Sequence, residues 1–490
     1  MKMLRTIIWG TAAVAHLALG AALSCNSTAP VAVHPIPAGI ASRDTYSVSV
    51  RSLNRRHPQH YPVDPFLFTV AEANITTGAN ILHDTSVAAF DFCGPIEVSV
   101  TYNNGPIDTA EIRPHSYNIS PRVHGRTIKF TLDAPKHVVV QVNNDIWDVL
   151  HLFTHAIETN PPAPSDPAYL YFSPGINNHT IAANLTDRQL RVPAGKTIYV
   201  APGATVSLTL VFQNVSSTGI RGRGLVRTGG IRIRNSTDIL ISDVLLFNSN
   251  VATYMSSDVT VRGIPSISSG KWGDGIDFYC SRNGLVDNVF LRNSNDNVAL
   301  YQHRDDAFGN SSNITIQNAV LWADYAHPIN IGTHGNTPNP EVMDGVVIRN
   351  IDVLDHRERQ MWYQGCLSIN AGDSNLIQNV HVDGMRVENF RDAQLVNLRV
   401  MNNTKYSTSP GRGIRNVYIK DLSYRGSNAN PSLILGYDAT HKISNVTFEN
   451  LVVNGVVVSD TMVKPSWYYT ADLVPMFVNE HVEDLKFIAS

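Results

Sequence analysis

A short pattern that returns about every thirty residues constrains the fold of this chain more than any other feature. From about residue 190 onward, a polar residue, an alternation of β-branched side chains and an Asn or Asp recur together. Copies begin at residues 283, 313, 345 and 375, which are 30, 32 and 30 residues apart, and the copies at 416 and 445 add a spacing of 29. Repeats of this length without helical periodicity are typical of a parallel β-helix, whose turns stack at about 4.8 Å. The sequence therefore predicts a right-handed parallel β-helix with apolar side chains in its core, where Asn side chains can also stack.

The first third of the chain follows a different pattern. Between about residues 46 and 172, short segments alternate polar and apolar side chains at period two, and Asn104-Gly105 is a hairpin-type turn between two of them. This pattern predicts an antiparallel β-sandwich, and the Pro-rich stretch 160–167 is predicted to be a loop. We therefore expect a signal peptide at residues 1–24, a β-sandwich domain at 25–180 and a β-helix domain at 181–490.

The N-terminus and the glycosylation sequons predict a secreted, extracellular glycoprotein. Lys2 and Arg5 precede an apolar stretch at residues 7–23, as in an export signal. The alternatives are an N-terminal membrane anchor and a lipoprotein cleavage site before Cys25. Eleven asparagines begin N-x-S/T sequons: Asn26, Asn74, Asn118, Asn178, Asn184, Asn214, Asn235, Asn310, Asn313, Asn402 and Asn445.

Composition limits the partners and cofactors. Charged residues make up 16 % of the chain, against about 25 % in an average soluble protein, and the formal net charge is −3 without basic or acidic runs. We therefore expect no binding to nucleic acid, to a membrane or to a strongly anionic polymer. Cys25, Cys93, Cys280 and Cys366 could form two disulfides in three alternative pairings. No CxxC pair or Asp-rich cluster suggests a metal, so we expect no metal site, no cofactor and a monomer.

Three successive turns of the predicted β-helix carry the candidate catalytic residues, at 272–279, 294–301 and 325–335. Equivalent positions on adjacent turns become spatial neighbours, so Asp274 and Asp296 are expected to lie side by side. Inverting glycoside hydrolysis needs two carboxyl groups about 6.5–9.5 Å apart, which two adjacent turns can provide. The alternative is that these Asp residues only satisfy the backbone of turns.

The order of these segments resembles two related families of β-helix hydrolases. Polygalacturonases of glycoside hydrolase family 28 carry N-T-D-G, D-D, G-H-G and R-I-K, and family 49, the dextranases and isopullulanases, carries T-D-G-I-E-I-Y and N-D-D. Here G-D-G-I-D-F-Y at 273–279, N-D-N-V-A-L-Y at 295–301 and A-H-P-I-N-I-G at 326–332 are similar to these blocks, and 111–117 and 196–204 are similar to upstream parts of family 49. The resemblance implies a pectin-lyase-like inverting glycosidase, with Asp274, Asp296 and His327 as its catalytic residues.

One departure from both families concerns the general acid, which they place at the first Asp of the D-D pair. Aligning the apolar strand that follows puts Asn295 at this position and Asp296 at the second one. An amide cannot donate a titratable proton. Shifting the alignment by one residue restores the acid as Asp296 but puts Asn297 at the second position. The candidate proton donors are Asp296, His327 and His334, since histidine titrates near neutral pH.

A second departure concerns the substrate. The R-I-K position falls within residues 365–370, which contain no basic residue, whereas uronate carboxylates normally bind cations. His356 and Arg357, one turn earlier, weaken this argument without removing it. The sequence therefore predicts a polysaccharide or oligosaccharide substrate that is neutral, and an α-glucan such as dextran or pullulan fits best.

Other residues near the three turns are candidates for supporting roles or for substrate binding: Asn295, Asp277, Asn297, Tyr301, His303, Arg304, His334, Trp272 and Trp322. Aromatic faces suit the C–H surfaces of sugars, and packing is the alternative for each of them. In the hydrolase hypothesis Asp274 and Asp296 share the acid and base roles, Asn295 positions water or sugar, and His327 tunes the pair. Two other functions stay open: a lyase, epimerase or isomerase that uses Asp296 and His327 on a small molecule, and a carbohydrate-binding protein that has lost catalysis.

Overall fold

The computed structural model describes residues 29–54, 59–73, 77–178, 185–186 and 188–490. In this part of the chain the helical elements are short: the 3₁₀ turns His115–Tyr117 and Met361–Tyr363 and the α-helix Thr470–Leu473. All other regular structure in the described ranges is β-strand, so the protein is all-β, as predicted. The predicted signal peptide and the sequons at Asn26, Asn74 and Asn184 lie outside the described residues.

The N-terminal strands form two sheets that share one core. One sheet contains Val31–Val33, Phe66–Ala73, Asn80–Phe92, Ala110–Arg113, Val138–Val142 and Leu150–His155. The other contains Tyr46–Ser52, His60–Val63, Ile96–Tyr102, Arg122–His124 and Thr127–Leu132. All pairings are antiparallel except that Leu150–His155 runs parallel to Asn80–Phe92. Alternate apolar residues such as Val50 and Phe90 meet between the sheets, which confirms the predicted sandwich.

From Tyr169 onward, strands stack in successive turns and form two long, mainly parallel sheets. In the described residues one sheet has twelve strands: Leu185–Thr186, Gln189–Arg191, Thr209–Gln213, Ile231–Arg234, Val251–Tyr254, Ile276–Tyr279, Val298–Tyr301, Ile329–Gly332, Leu367–Ala371, Val396–Val400, Ser432–Leu435 and Met476–Val478. We call it the cleft sheet, because the three candidate turns contribute strands to it.

The second sheet of the β-helix has twenty strands in the described residues. They are Tyr169–Phe172, Gly175–Asn177, Thr197–Val200, Ala204–Val206, Ser216–Gly222, Leu225–Arg227, Thr237–Ser242, Leu245–Phe247, Ser257–Arg262, Pro265–Ile267, Arg282–Asp287, Phe290–Asn293, Ser311–Ala323, Val342–His356, Leu376–Val387, Gly413–Tyr424, Ile443–Glu449, Leu451–Val453, Val456–Val458 and Val482–Ile488. Ala393–Gln394 and Ala429–Asn430 form a separate parallel pair.

The sequence repeat corresponds to the turns of the β-helix, with one shift. Ile314, Val346, Val380, Val417 and Val446 pair in register from turn to turn, and all five side chains are buried. The turns are therefore 32, 34, 37 and 29 residues long. The predicted start at residue 375 is wrong, because a longer loop precedes this strand and the residue equivalent to 345 is 379.

The repeated asparagines lie at outer corners of the β-helix rather than in its core. Asn283, Asn313, Asn379, Asn416 and Asn445 are exposed and have φ between 54° and 58°, a left-handed conformation that Asn tolerates better than most residues. Their amides bond from turn to turn, as in the 2.9 Å contacts from Asn445 to Asn416 and from Asn416 to Asn379. The asparagines therefore lie near the start of strands of the twenty-stranded sheet and stack as a ladder facing solvent.

The sandwich packs against the twenty-stranded sheet through an apolar cluster with buried charges. Phe68 of the sandwich stacks on Phe247 of the β-helix, with ring centroids 4.0 Å apart. Trp322 is fully buried in the same cluster, and the Arg292 guanidinium carbon lies 3.9 Å from the centroid of its ring. Arg292 is paired with Asp324 at 2.8 Å, so the buried cation has a partner.

The prediction of two disulfides is wrong. Cys280 and Cys366 are buried free thiols, because they lie on different turns of the β-helix with their side chains packed among apolar neighbours. Cys93 carries a disulfide bond, and Cys25 lies outside the described residues.

Candidate active site

The three predicted segments lie on consecutive turns of the cleft sheet. Val298 pairs in register with Ile276 on one side and with Ile329 on the other. The backbone pairing continues before these strands, since the Gly275 N–H donates to the Asp296 carbonyl at 2.9 Å and the Asn297 N–H donates to the His327 carbonyl at 2.8 Å. Asp274, Asp296 and His327 therefore occupy equivalent positions, two residues before each strand, as the repeat predicted.

Asp296 is a buried carboxylate that accepts four hydrogen bonds. One oxygen accepts from the His327 backbone N–H at 2.9 Å and from its ring Nδ1 at 2.7 Å. The other accepts from the Tyr301 hydroxyl at 2.8 Å and the Asn330 amide at 2.9 Å. Burial alone would raise the pKa of Asp296, but the charge and hydrogen bonds of His327, followed by the Asn330 and Tyr301 bonds, hold this pKa below its usual value. Asp296 is therefore ionised at neutral pH.

His327 is fully buried and uses both ring nitrogens. Nδ1 donates to Asp296, and Nε2 donates to the Tyr363 carbonyl at 2.6 Å. Burial lowers the pKa of His327, but Asp296 more than offsets this effect and the pKa is raised. The imidazolium is thus the counter-charge of Asp296. It has no free N–H to offer a substrate, so it acts by holding and charging Asp296.

Asp274 is half-buried at the edge of the cleft. Its Oδ1 is buried and has no hydrogen-bond partner among the described residues. Burial, together with the negative charges of Asp277 and Asp296, raises the pKa of Asp274 well above its ordinary value. The pKa values of these two neighbouring carboxyls are therefore shifted in opposite directions, so that Asp274 keeps its proton and Asp296 is ionised.

Asp277 lies in the outward-facing row of the cleft sheet, in register with Ala252 and Ala299. Its Oδ2 accepts a 3.0 Å hydrogen bond from the Asn250 amide, and its Oδ1 has no partner in the described part of the chain. Burial raises the pKa of Asp277 to about 7, against the opposing effect of the Asn250 bond and with a contribution from Asp296. The cleft therefore holds three carboxyls with different protonation.

The two asparagines beside Asp296 have different surroundings. Asn295 is half-buried, and its side chain makes no hydrogen bond within the described residues, so it is available to water or sugar. Asn297 is fully buried and donates to Asn293 and to the Trp322 carbonyl, both at 3.1 Å. Asn297 therefore holds the corner of the turn together, whereas the Asn295 side chain is free of such bonds within the described residues.

His334 and Arg304 form a contact at the rim of the cleft. The Arg304 Nη1 lies 2.9 Å from the His334 Nε2, and because a guanidinium can only donate, this nitrogen must accept. Burial and the Arg304 charge lower the pKa of His334 to about 4. His334 is therefore neutral at the pH where a general acid is needed. His303, half-buried in the same loop, donates its backbone N–H to Glu341 at 3.0 Å.

The predicted aromatic residues divide between the cleft and the core. Tyr254, Tyr279 and Tyr301 form a stack along the cleft sheet, with neighbouring ring centroids 4.6 and 5.4 Å apart. Trp272 is 69 % exposed beside Asp274. Trp322 lies in the interface with the sandwich and does not line the cleft, because it belongs to the other sheet.

The cleft is covered on one side of the carboxyls. The outward row continues from Asp277 through Ala299 to Asn330, Ser368 and Asn397, and these last three side chains are fully buried. Tyr363, whose hydroxyl accepts from the Asn330 amide at 3.2 Å, stacks on Tyr406 at 4.7 Å above this row. A ligand therefore reaches Asp274 from the side of the earlier turns.

Sequence reasoning missed two residues on those earlier turns. Arg232 donates to the Asn250 amide oxygen at 2.8 Å, and the Asn250 amide in turn donates to Asp277. The alternation Ile-Arg-Ile-Arg of the strand Ile231–Arg234 marks Arg232 as facing outward, and this signal was available in the sequence.

Comparisons with solved structures agree with this architecture. Dex49A from Penicillium minioluteum matches with a TM-score of 0.57 and 11 % identity, over 94 % of this chain and 96 % of that chain. The family 28 exopolygalacturonase of Yersinia enterocolitica (TM-score 0.44, 10 % identity, 80 % and 97 % covered) and a GH87 α-1,3-glucanase of Streptomyces thermodiastaticus (0.31, 12 %, 87 % and 81 %) are more distant. The expected likeness to a family 49 fold is confirmed. No family model and no curated protein sequence matches the chain.

No group of three or more His, Cys, Asp or Glu side chains in the described ranges is placed to hold a metal ion. Within the same ranges, no helix has the length and apolar character needed to cross a membrane.

Proposed function

We propose that this protein is a secreted glycoside hydrolase that cleaves a polysaccharide or oligosaccharide with inversion, as a monomer without a cofactor. Asp274 is the general acid that protonates the leaving oxygen. Asp296 is the ionised carboxylate that takes a proton from the attacking water. The observation that carries the proposal is the opposite shift of the two pKa values in neighbouring carboxyls, which is the arrangement that acid–base hydrolysis requires.

The proton donor is assigned to Asp274 by elimination. Asn295, at the family acid position, has no titratable proton. His327 is buried with both nitrogens used, and His334 is neutral. Asp296 is ionised. Asp274 alone combines partial exposure with a retained proton and an oxygen that has no protein partner in the described residues.

We infer that the attacking water reaches Asp296 by way of the Tyr301 hydroxyl. The His327 N–H groups and the Asn330 amide are fixed by their own packing, whereas the Tyr301 hydroxyl donates to Asp296 and can accept a hydrogen bond from water, so that its proton passes to Asp296 as it takes one from the water. Because the cavity beside Asp274 is lined by earlier turns, and Tyr363 and Tyr406 cover the row at Asn330, we infer that the cleft accepts a chain from one side and acts at a chain end.

Secretion is supported by the positions of the sequons. Seven of the eight sequon asparagines that the structure describes are exposed, and Asn178 is half-buried. Glycans attached at exposed corners would extend into solvent without disturbing the core.

The test is an assay of the purified glycoprotein with neutral glucans and acidic glycans, in which released reducing ends are measured and the anomer of the first product is read by NMR. Asp274→Asn should lower kcat by about 10²- to 10⁴-fold, as expected for loss of a general acid. Asp383→Asn, at an exposed carboxylate of the other sheet, is the matched control and should be unchanged. Hydrolysis that survives in Asp274→Asn would rule out this acid.

One observation favours a carbohydrate-binding protein as the second candidate. All four lone-pair positions of Asp296 are occupied by protein donors, which is typical of a structural anion. Saturable glycan binding without any release of reducing ends would establish this function instead. A lyase or isomerase that uses His327 as its acid or base is disfavoured, since neither ring nitrogen is free.

A further inference from the structure

A cavity of about 210 Å³ lies directly beside Asp274, on the open side of the cleft. Its walls include Arg232 from the cleft sheet, Asn250 just before the strand Val251–Tyr254, and Lys271 and Trp272 from the loop before Asp274. We call it the Arg232 pocket. An aromatic face next to a catalytic carboxyl is a common setting for a sugar ring, and here two cations accompany it.

Arg232 is held in place from behind. Its Nη1 donates to the Asn250 amide oxygen at 2.8 Å, and Asn250 is itself oriented by its 3.0 Å bond to Asp277. Gly230 makes room for this arrangement, because a Cβ there would lie 2.5 Å from the Arg232 Nη1 and 2.8 Å from the Asn250 oxygen. The Nε and Nη2 groups of Arg232 have no acceptor among the described residues. The guanidinium is thus held in one orientation, and its Nε and Nη2 groups are available to bind a ligand.

The two cations of the pocket have no ion-pair partner in the described part of the chain, and the nearby Asp277, with a pKa of about 7, is only partly ionised near neutral pH. Arg232 and Lys271 form no ion pair with any described residue, whereas Arg234, two residues along the same strand, pairs with Asp306 at 2.6 Å. The Lys271 Nζ lies over the exposed Trp272 ring, 5.3 Å from its centroid. Asp274, the acidic group at the pocket wall, retains its proton and so does not neutralise these cations.

We propose that the Arg232 pocket is a subsite for an acidic sugar, with the uronate carboxylate bound by Arg232 and Lys271 and the ring on Trp272. The two free donor groups of the Arg232 guanidinium can form paired hydrogen bonds with the two oxygens of a carboxylate. The Lys271 ammonium supplies a second positive charge to the same anion. The inference rests on the proposed function and narrows it: the substrate carries an acidic unit at the bond that Asp274 protonates. It replaces the expectation of a wholly neutral glycan, which followed from the absence of a basic residue at 365–370.

The test compares two sugars that differ in charge at C6, sodium D-glucuronate and D-glucose, by Trp fluorescence and saturation-transfer NMR. Glucuronate should bind at least about tenfold more tightly than glucose, and this preference should shrink with added salt. Lys271→Gln, at an exposed side chain that folding does not need, should reduce the preference. Arg232→Gln with Lys271→Gln should abolish it. Arg349→Gln, at an exposed arginine whose side chain bonds only to Gln317 among the described residues, should not change it.

Equal affinity for the two sugars, or a glucuronate preference that survives in the double variant, would overturn the inference. If Arg232→Gln does not fold, the Lys271→Gln variant and the salt series decide it. These measurements need no turnover, so a missing hydrolase activity leaves their result intact. Conversely, Asp274-dependent hydrolysis of a neutral glucan without a glucuronate preference would support the proposed function and remove only this subsite.

Discussion

Two clusters of buried charged residues in the β-helix differ in their balance of positive and negative groups. At the interface with the sandwich, Arg292 pairs with Asp324 at 2.8 Å, and Arg391 pairs with Asp324 at 2.9 Å and with Asp355 at 2.5 Å. Two cations there face two carboxylates. In the cleft, three carboxyls share one buried cation, His327. The excess negative charge in the cleft is reduced because Asp274 and Asp277 bind protons, and not because further protein cations pair with them.

This difference separates a structural charge cluster from a reactive one. In a balanced cluster all groups stay ionised, and each ion pair stabilises the fold. An unbalanced cluster keeps one carboxyl protonated near neutral pH, which a stable fold alone does not require. The following predictions test this distinction.

The largest expected effect is on stability at the interface. Asp324→Asn leaves Arg292 buried without its carboxylate and should lower the free energy of unfolding by about 3–5 kcal/mol. Asp274→Asn removes a carboxyl that is already neutral and should change it by less than about 1 kcal/mol. Chemical denaturation of both variants at neutral pH measures the difference. Similar losses in the two variants would show that the cleft carboxyls are structural as well.

The second prediction concerns the pH dependence of stability. Folding raises the pKa of Asp277 from 3.8 to about 7, so the folded protein holds a proton that the unfolded chain releases. The contribution of Asp277 to the free energy of unfolding should therefore fall as pH rises from about 4 to 7, by up to about 4 kcal/mol. Denaturation at several pH values should show a flatter curve for Asp277→Asn. Parallel curves for the variant and the wild type would contradict the burial of a neutral Asp277.

The third prediction concerns the acid side of the pH–rate profile. Asp296 must be ionised to act as a base, so kcat/KM should rise as pH increases through its pKa. His327→Gln removes the cation that lowers this pKa, and the rising limb should move to higher pH by about one to three units. The falling limb, which reports loss of the Asp274 proton, should stay near its place. An unmoved rising limb would mean that another group is the base.

The smallest effect is expected from a neutral donor. Tyr301→Phe removes one of the four hydrogen bonds to Asp296 and should cost about 1 kcal/mol of stability. Tyr279→Phe, in the same stack, is the control, since its hydroxyl bonds to no described residue. Thermal and chemical denaturation measure both. An equal loss in Tyr279→Phe would attribute the effect to the stack rather than to Asp296.

The repeat alone predicted the β-helix and placed Asp274, Asp296 and His327 on one ladder, since register in stacked turns follows sequence spacing. It could not place Trp322 or Asn297. Whether a residue near a corner faces the cleft, the core or the neighbouring domain depends on where the strand begins and on what packs outside it. The roles of the histidines also lay beyond the sequence, because they depend on which nitrogen finds a partner. Strand alternation in Ile231–Arg234 is enough to predict that Arg232 faces outward, whereas the family motifs lie on later turns and do not include it.

The packing of the β-helix separates the evolution of its core from that of its surface. Each turn contacts mainly the turns next to it, and inward and outward side chains alternate along every cleft strand. A change at an outward position therefore leaves the inner column intact. A lineage can lose an acid at a site such as Asn295, or acquire a cation at one such as Arg232, by single substitutions that leave folding unaffected. Substitutions that change substrate preference can therefore accumulate in this fold while the β-helix itself is kept.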